Sequence, residues 1–354
     1  MKVIKWLITC LHASNLQGFK GFSRVRVPRV VVIDYPSLMT YLLALEGLIA
    51  LALLVYLARS ARAIGSKLTA YNSKQSKKLL EIEGQLLDHD RNIRRANQLL
   101  YLPLLTSKNV SWDFVLSLTS HGPRFQSLAQ VLESLRQQVL QPTKILLNIA
   151  AEEINSLPPE VKSLEKEGFI EIVSCQDLGP AKKLIPTLLG KGETPIIVVD
   201  DDLNFDPDLF LQLMVAHHLH PKAIIASRVH RVTLDEKGNL MNFNEWDKQF
   251  TETDGPRSDL LPTSGSGTLF PKNSLHTDAT NSDLYLELAK NTDDLWWYFQ
   301  GRRAGTLVVR IEGFGSLDFV ENSQEVGLWK NGNQERNEVN LQALLSKYGN
   351  PINM

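Results

Sequence analysis

Residues 194–210 read TPIIVVDDDLNFDPDLF, and the reading of this stretch decides the fold. Four apolar residues, Ile196 to Val199, run into Asp200, Asp201 and Asp202. A short apolar run bounded by polar residues predicts a buried strand. Three carboxylates a few ångströms apart repel one another, and the low dielectric at a buried strand end strengthens that repulsion. A hard divalent cation offsets it most directly, because Mg²⁺ and Mn²⁺ prefer carboxylate oxygens. Strand alternation sets Asp200 and Asp202 on one side, able to share an ion, and Asp201 on the other. The alternative is an acidic turn before a helix. Asp206 and Pro207 suit that as N-cap and first helical residue ahead of DLFLQLMVAHH. This accounts for Asp206 but not for the triplet.

Outward from this stretch, strands alternate with helices. FVLSLTS (114–120) predicts a strand, HGPRF a loop, and SLAQVLESLRQQ a helix with apolar residues at helical spacing. KILLNIA (144–150), FIEIVSC (169–175), PIIVVDD and AIIASRV (223–229) predict further strands. Helical pieces lie between them, at about 158–167 and at the start of GPAKKLIPTLL, where Pro186 limits it. This order predicts an α/β domain, Rossmann-like, with a mostly parallel sheet and helices on both faces. Such sheets bind ligands at the carboxyl ends of their strands. The acidic triplet and SLTSHGPRF both fall there.

The chain has 354 residues and a formal net charge of −1, which gives no electrostatic case for nucleic acid as a partner. Its two cysteines, Cys10 and Cys175, exclude a disulfide framework and a thiolate zinc site. The first hundred residues differ from the rest. Leu38 to Ala58 carry one charge, Glu46, over 21 residues, and a helix of that length spans about 30 Å of hydrocarbon. Glu46 costs roughly 2.5–3.5 kcal/mol on insertion, which the many Leu, Ile and Val residues outweigh. A single-pass transmembrane helix is expected at 38–58, after an N-terminal segment 1–37; a buried core helix is the alternative. Basic residues flank both ends, so charge sets no orientation. Residues 59–101 predict a helical stalk. Leu79, Ile82, Leu86, His89, Ile93, Ala96 and Leu100 trace a heptad seam that either pairs two chains in a homodimer or packs on its own domain.

The run SLTSHGPRF, PTKILLNIA, DLGPAKKLIPTLL, PIIVVDDDLNFDPDLF and DDLWWYF resembles a bacterial glycosyltransferase family, family-2-like, over Trp112 to Gly349. The resemblance implies a GT-A fold over 102–354, a nucleotide-sugar donor and an Asp-x-Asp metal motif with Mn²⁺ or Mg²⁺. At His121 the family often carries a Tyr-like aromatic, and this chain departs from it. The resemblance implies roles as follows. Asp202 is a direct metal ligand, and Asp200 meets the metal through water or meets the donor sugar. Asp201 holds the site in shape beside the donor. Thr119, Ser120 and Arg124 serve the nucleotide end. Lys182 and Lys183, after the helix-opening Gly179 and Pro180, meet a phosphate or sugar hydroxyl.

Asp293 and Asp294 precede an aromatic helix. Capping accounts for acids there. The resemblance makes one of them, Asp294 by preference, the base that takes the proton of the attacking acceptor hydroxyl, in an inverting single displacement. TSGSGTLFP (263–271) brings Gly265 and Gly267, which let a backbone approach a sugar or acceptor closely. Trp246 and Trp296 are candidate sugar-stacking faces, and of the adjacent Trp296 and Trp297 at most one faces the crevice. Asn337 and Asn340 are expected before a C-terminal helix.

The expected function is sugar transfer to a glycan or lipid-linked acceptor in cell-surface polysaccharide synthesis. The catalytic domain is expected on the cytoplasmic side, where nucleotide sugars are made. The alternatives are an inactive membrane-anchored scaffold, a retaining enzyme on the same fold, and a metal- or nucleotide-binding module. Asp200, Asp202, Asn204 and Asp206 have EF-hand spacing, but Phe205 and Leu211 stand where that loop needs Gly and Glu.

Overall fold

The computed structural model describes residues 47–62, 65–67, 69, 71–79, 82, 111–190, 194–252, 255–312, 317–320 and 333–354. The expected segment 1–37, the start of the apolar span at 38–46, most of the stalk with its seam, and residues 102–110 lie outside them. The chain divides into two units, Met1–Leu86 and Leu87–Met354. In the first, the helix Gly47–Leu79 is long and apolar enough to cross a membrane, with a mean hydropathy of 1.6 over its most apolar window and none of that window buried. Its described leucines are exposed.

In the second unit seven strands form one sheet. In chain order its strands are β1 (Val115–Thr119), β2 (Lys144–Ala150), β3 (Glu171–Cys175), β4 (Ile196–Val198), β6 (Ile224–Ala226), β10 (Thr268–Phe270) and β11 (Val308–Arg310). The spatial order is β11-β6-β10-β4-β1-β2-β3. All neighbours pair parallel except β10, which runs antiparallel to both β4 and β6. So β1, β4 and β6 all end at the same sheet edge, and the loop ahead of β10 arrives there too. The mostly parallel α/β sheet expected from the alternation is observed.

Period-two alternation along β4 sorts the core into two layers. Ile197 and Val199 join Leu116, Leu118, Leu269 and Ile225 in one cluster, covered by α1 (Phe125–Leu135), α2 (Pro159–Lys166) and α4 (Leu209–Leu219). Ile196, Val198, Ile224, Ala226 and Phe270 join the other. There α3 (Ile185–Gly190), α5 (Ser282–Leu288), α6 (Asp293–Arg303) and α7 (Asn333–Tyr348) cover the sheet. A sheet buried on both faces explains why the strands are near-continuous apolar runs.

Two smaller sheets complete the unit. β5 (Leu203–Asn204) pairs with β12 (Asp318–Phe319), and β7 (Val229–Arg231) lies between β8 (Asp247–Phe250) and β9 (Leu260–Pro262). The predicted fifth strand is therefore two: AIIASRV breaks after Ala226, and Val229 enters the second sheet. Three further expectations are corrected. The helix after Pro207 begins at Leu209 with Asp208, not Asp206, at its N-cap. Asn337 and Asn340 lie inside α7 rather than before it. And the start of GPAKKLIPTLL is a 3₁₀ turn, Gly179–Lys183, that gives way to α3.

Candidate active site

Strand β4 stops at Val198, so the aspartates lie in a bend and strand alternation does not apply to them. Asp201 and Asp202 face one cation instead of opposite sides: Arg124 donates to Asp201 Oδ1 at 2.6 Å and pairs with Asp202 Oδ2 at 3.0 Å. Arg124 belongs to the turn after β1. Asp200 turns the other way, to Lys183 Nζ at 2.5 Å. The backbone N–H of Asp200 donates to the Gly265 carbonyl at 2.8 Å, and a Cβ on Gly265 would stand 1.8 Å from Asp200 Oδ2. The triplet is thus held from three directions by residues from three parts of the chain.

Lys183 is the centre of the arrangement. Its side chain is 4% exposed, and its ammonium also reaches Asp293 Oδ2 at 3.2 Å. Burial pulls its pKa down, but the carboxylates of Asp200, Asp293 and Asp294 outweigh that and hold it well above the usual lysine range. A buried polar network fixes its backbone: Ser117 donates to the Lys183 carbonyl at 2.6 Å and lies 2.6 Å from Thr187 Oγ1, and Asn148 donates to Ser117 at 2.9 Å. Ser117 and Asn148 interrupt the apolar strands β1 and β2. Polar residues at buried strand positions were the sequence signal for this network, and it was missed.

Asp293 and Asp294 open α6, as expected. Asp294 Oδ1 accepts from the Ser264 N–H at 2.9 Å and its hydroxyl at 2.5 Å. Asp293 Oδ2 accepts from Trp297 Nε1 at 3.3 Å. Burial and the neighbouring Asp293 carboxylate push the Asp294 carboxyl up to about 6, against the opposing pull of Lys183 and Ser264. Asn340 donates to the Lys290 carbonyl at 3.1 Å and to Thr292 Oγ1 at 2.9 Å, fixing the loop that leads into α6.

The structure brings Asp200, Asp201, Asp202, Asp293, Asp294, Arg124, Lys183 and Gly265 together at the carboxyl edge of the sheet. Thr119 and Ser120 lie at the end of β1 beside them; Thr119 donates to the Asn148 carbonyl at 2.6 Å. Lys182 is buried but pairs with Asp177 rather than with the triplet. Both lysines are buried, at 2% and 3% exposure, although adjacent lysines usually point into water. Trp246 and Trp296 are corrected: they are 3% and 0% exposed, with their indole N–H groups committed to the Met241 and Ala279 carbonyls, so neither offers a face to a sugar. The two glycines are corrected as well. The space over Gly265 is filled by Asp200, and the space over Gly267 by Leu209, 2.9 Å from a Cβ placed there; Gly267 also has φ +110°, which L side chains rarely adopt. Neither position has room for a side chain.

Five carboxylates thus face two side-chain cations, and a divalent ion would offset the remaining negative charge. Among the described residues no three His, Cys, Asp or Glu side chains converge as a ready cage. Mg²⁺ and Mn²⁺ are commonly bound by one or two carboxylates and completed by substrate phosphates. Asp200, 37% exposed at its side chain, and Asp202 are the residues that fit. Ser120 Oγ, Arg124 Nε and Asp201 Oδ2 are buried here without a hydrogen-bond partner. Buried polar atoms rarely stay unpaired.

No family model matches the sequence, and no curated protein is similar to it. Among solved structures, similar ones include a 4-diphosphocytidyl-2C-methyl-D-erythritol synthase from Anaerococcus prevotii, at 16% identity and TM-score 0.38 over 63% of this chain and 96% of that one. Residues 1–349 of S. aureus TarS in complex with UDP match at 10% identity and TM-score 0.37, over 58% of this chain and 59% of that one. The inositol-1-phosphate CTP transferase of T. maritima matches at 11% identity and TM-score 0.35, over 64% and 95%. Likenesses this distant decide nothing about chemistry; the strand order above defines the fold.

Proposed function

We propose that the chain is a GT-A-type glycosyltransferase that moves a sugar, with inversion, from a nucleotide-diphosphate donor to a glycan or lipid-linked acceptor in cell-surface polysaccharide synthesis. Residues 38–58 anchor it, 59–101 form the stalk, and 102–354 carry the chemistry on the cytoplasmic side. The observation that carries this reading is Lys183. It ties the triplet, through Asp200, to the pair at the start of α6, through Asp293. A site for the donor diphosphate and a site for a base then share one crevice.

Asp294 accepts the proton of the acceptor hydroxyl as its oxygen attacks the anomeric carbon. The bond from that carbon to the diphosphate breaks, and its electron pair leaves with the diphosphate. A carboxyl pushed up to about 6 is deprotonated at neutral pH yet basic enough to take a proton, which is what general-base work asks of it. Asp293, held by Lys183 and Trp297, keeps that start of the helix in place. Mn²⁺ or Mg²⁺ on Asp202 and Asp200 would supply Lewis-acid stabilisation of the leaving diphosphate. Arg124 orients Asp201 and Asp202, and Ser120, with Arg124 Nε and Asp201 Oδ2, serves the nucleotide end.

The test offers the full chain, in detergent, a panel of UDP-, GDP- and dTDP-sugars with Mn²⁺ and records nucleotide release and metal-dependent nucleotide binding. Release from one donor, lost with EDTA and in Asp202→Ala, supports the reading. An absence of metal-dependent nucleotide binding across the panel overturns it in favour of a scaffold.

A further inference from the structure

Arg124 does for two of the aspartates what a divalent cation would do. Its Nη1 donates to Asp201 Oδ1 at 2.6 Å and its Nη2 pairs with Asp202 Oδ2 at 3.0 Å, so one guanidinium spans both carboxylates. The planar fork of arginine suits that span, and a point charge does not. Asp202 is also a residue that fits a metal ion. An ion that takes Asp202 Oδ2 while the guanidinium holds it makes two cations share one oxygen, and like charges that close repel. The clasp and the ion therefore compete for Asp202.

Two observations set Arg124 apart from Lys183, the other cation at the triplet. The first is anchoring. The Lys183 side chain is 4% exposed and reaches Asp293 as well as Asp200, and the backbone carbonyl of Lys183 is held by Ser117. The Arg124 side chain is 12% exposed and meets the aspartates alone among the ion pairs it makes. Its backbone is fixed apart from them: its N–H donates to the His121 carbonyl at 2.8 Å, and its carbonyl accepts from the Ser127 hydroxyl at 3.1 Å. A change of side-chain torsions is then enough to lift the guanidinium, with the turn left in place. The second observation is incomplete pairing. Arg124 Nε and Asp201 Oδ2 are buried without a hydrogen-bond partner. A buried polar group left unpaired costs free energy, so the clasp holds against that cost.

We propose that Arg124 is a placeholder for the metal: in the free protein it occupies Asp201 and Asp202, and a divalent ion and a nucleotide diphosphate displace it together, the ion taking Asp202 and the diphosphate taking the guanidinium. This rests on the glycosyltransferase reading of the same crevice and adds how its two donor-side ligands depend on each other. The exchange keeps every charge paired, because the fork that suits carboxylates suits phosphate oxygens equally well. Neither ligand completes it alone. The ion by itself leaves Arg124 a mostly buried cation without its partners, and the diphosphate by itself leaves two buried carboxylates without their cation; breaking a buried pair from either side is unfavourable. Metal and nucleotide therefore strengthen each other's binding, by the same factor in both directions.

The test titrates Mn²⁺ into the full chain in detergent by calorimetry, alone and with saturating UDP, GDP or dTDP, for wild type, Arg124→Lys and Arg124→Gln. Thermal midpoints check that the variants are folded. Arg124→Lys keeps the charge and loses the fork. In wild type one of the nucleotides should tighten Mn²⁺ binding about tenfold or more. In Arg124→Lys, Mn²⁺ alone should bind about tenfold more tightly than in wild type, and the nucleotide should add little further. Arg124→Gln should gain at least as much. A nucleotide that binds wild type but leaves its Mn²⁺ affinity unchanged overturns the proposal, and this comparison needs no variant to fold. Equal Mn²⁺ affinity in wild type and Arg124→Lys, with a gain in Arg124→Gln, also overturns it, because charge alone then matters and no clasp is displaced. A chain that binds none of the three nucleotides loses the transferase reading and the proposal with it, whereas a chain that binds one and shows neither effect loses the placeholder alone.

Discussion

The two acidic segments of the crevice are held by different means. Asp200–Asp202 lie in a bend off a strand, and side-chain cations clasp them: Arg124 on two, Lys183 on the third. Asp293 and Asp294 open a helix, where the free N–H groups already favour negative charge, and neutral donors from Ser264 and Trp297 do most of the holding. Lys183 is shared between the segments. The difference teaches that the triplet is a charge problem solved by charge, whereas the pair is a positioning problem solved by hydrogen bonds. The pair therefore keeps one carboxyl poised to titrate near neutrality.

That contrast can be broken at several points. The largest effect is expected from Asp294→Asn. Its kcat/KM should fall by about 10²–10⁴-fold, the usual share of a general base, with nucleotide binding retained. In wild type, kcat/KM should fall below a pH of about 6, because the base works only when deprotonated; a profile flat through that region would remove Asp294 from the role. Next is Lys183→Met, which leaves Asp200 and Asp293 without their cation. Breaking a buried pair costs about 3–5 kcal/mol, read as a large drop in the thermal midpoint, and the same change in Lys182 should cost less because its partner Asp177 is 64% exposed.

Smaller effects sharpen the comparison. Gly265→Ala drives a Cβ into Asp200 and should cost about 1–3 kcal/mol as overpacking. Metal-dependent nucleotide binding should weaken with it, since Asp200 must move. The smallest effect concerns stability and has the opposite sign to the loss of activity. A carboxyl raised in the folded chain from 3.8 to about 6 favours folding fully below 3.8, and that contribution is lost as pH rises through 6. Asp294→Asn removes this loss, so above pH 6 the variant should be more stable than wild type. Equal stability of the two proteins at pH 4 and pH 8 would mean that Asp294 is not strained by its surroundings.

The strands of the first half, the acidic triplet and the acidic pair were legible in sequence, because apolar runs ending in charge are local patterns. The partners were not. Nothing near Lys183 in the chain says that it is buried, and adjacent lysines usually point into water; carboxylates from two distant segments decide otherwise. TLF at 268–270 is too short to declare a central strand, and its antiparallel direction depends on pairing with Ile196–Val198 some seventy residues earlier. The tryptophans misled for a related reason: an aromatic residue next to a predicted site reads equally well as a sugar platform or as core, and the packing of α6 against the sheet chose core.

Strand β10 has a consequence for the order in which the molecule is built. Among the described residues it is the strand that joins the β3-β2-β1-β4 half of the sheet to the β6-β11 half. A chain growing from its N-terminus completes β4 with one edge open and must extend past Phe270 before that edge can close. Until then an exposed ladder invites pairing with other chains. The event that closes the edge also brings Gly265 onto Asp200 and Ser264 to where Asp294 will dock. Sheet closure therefore also sets in place the loop that holds Asp200 and later receives Asp294.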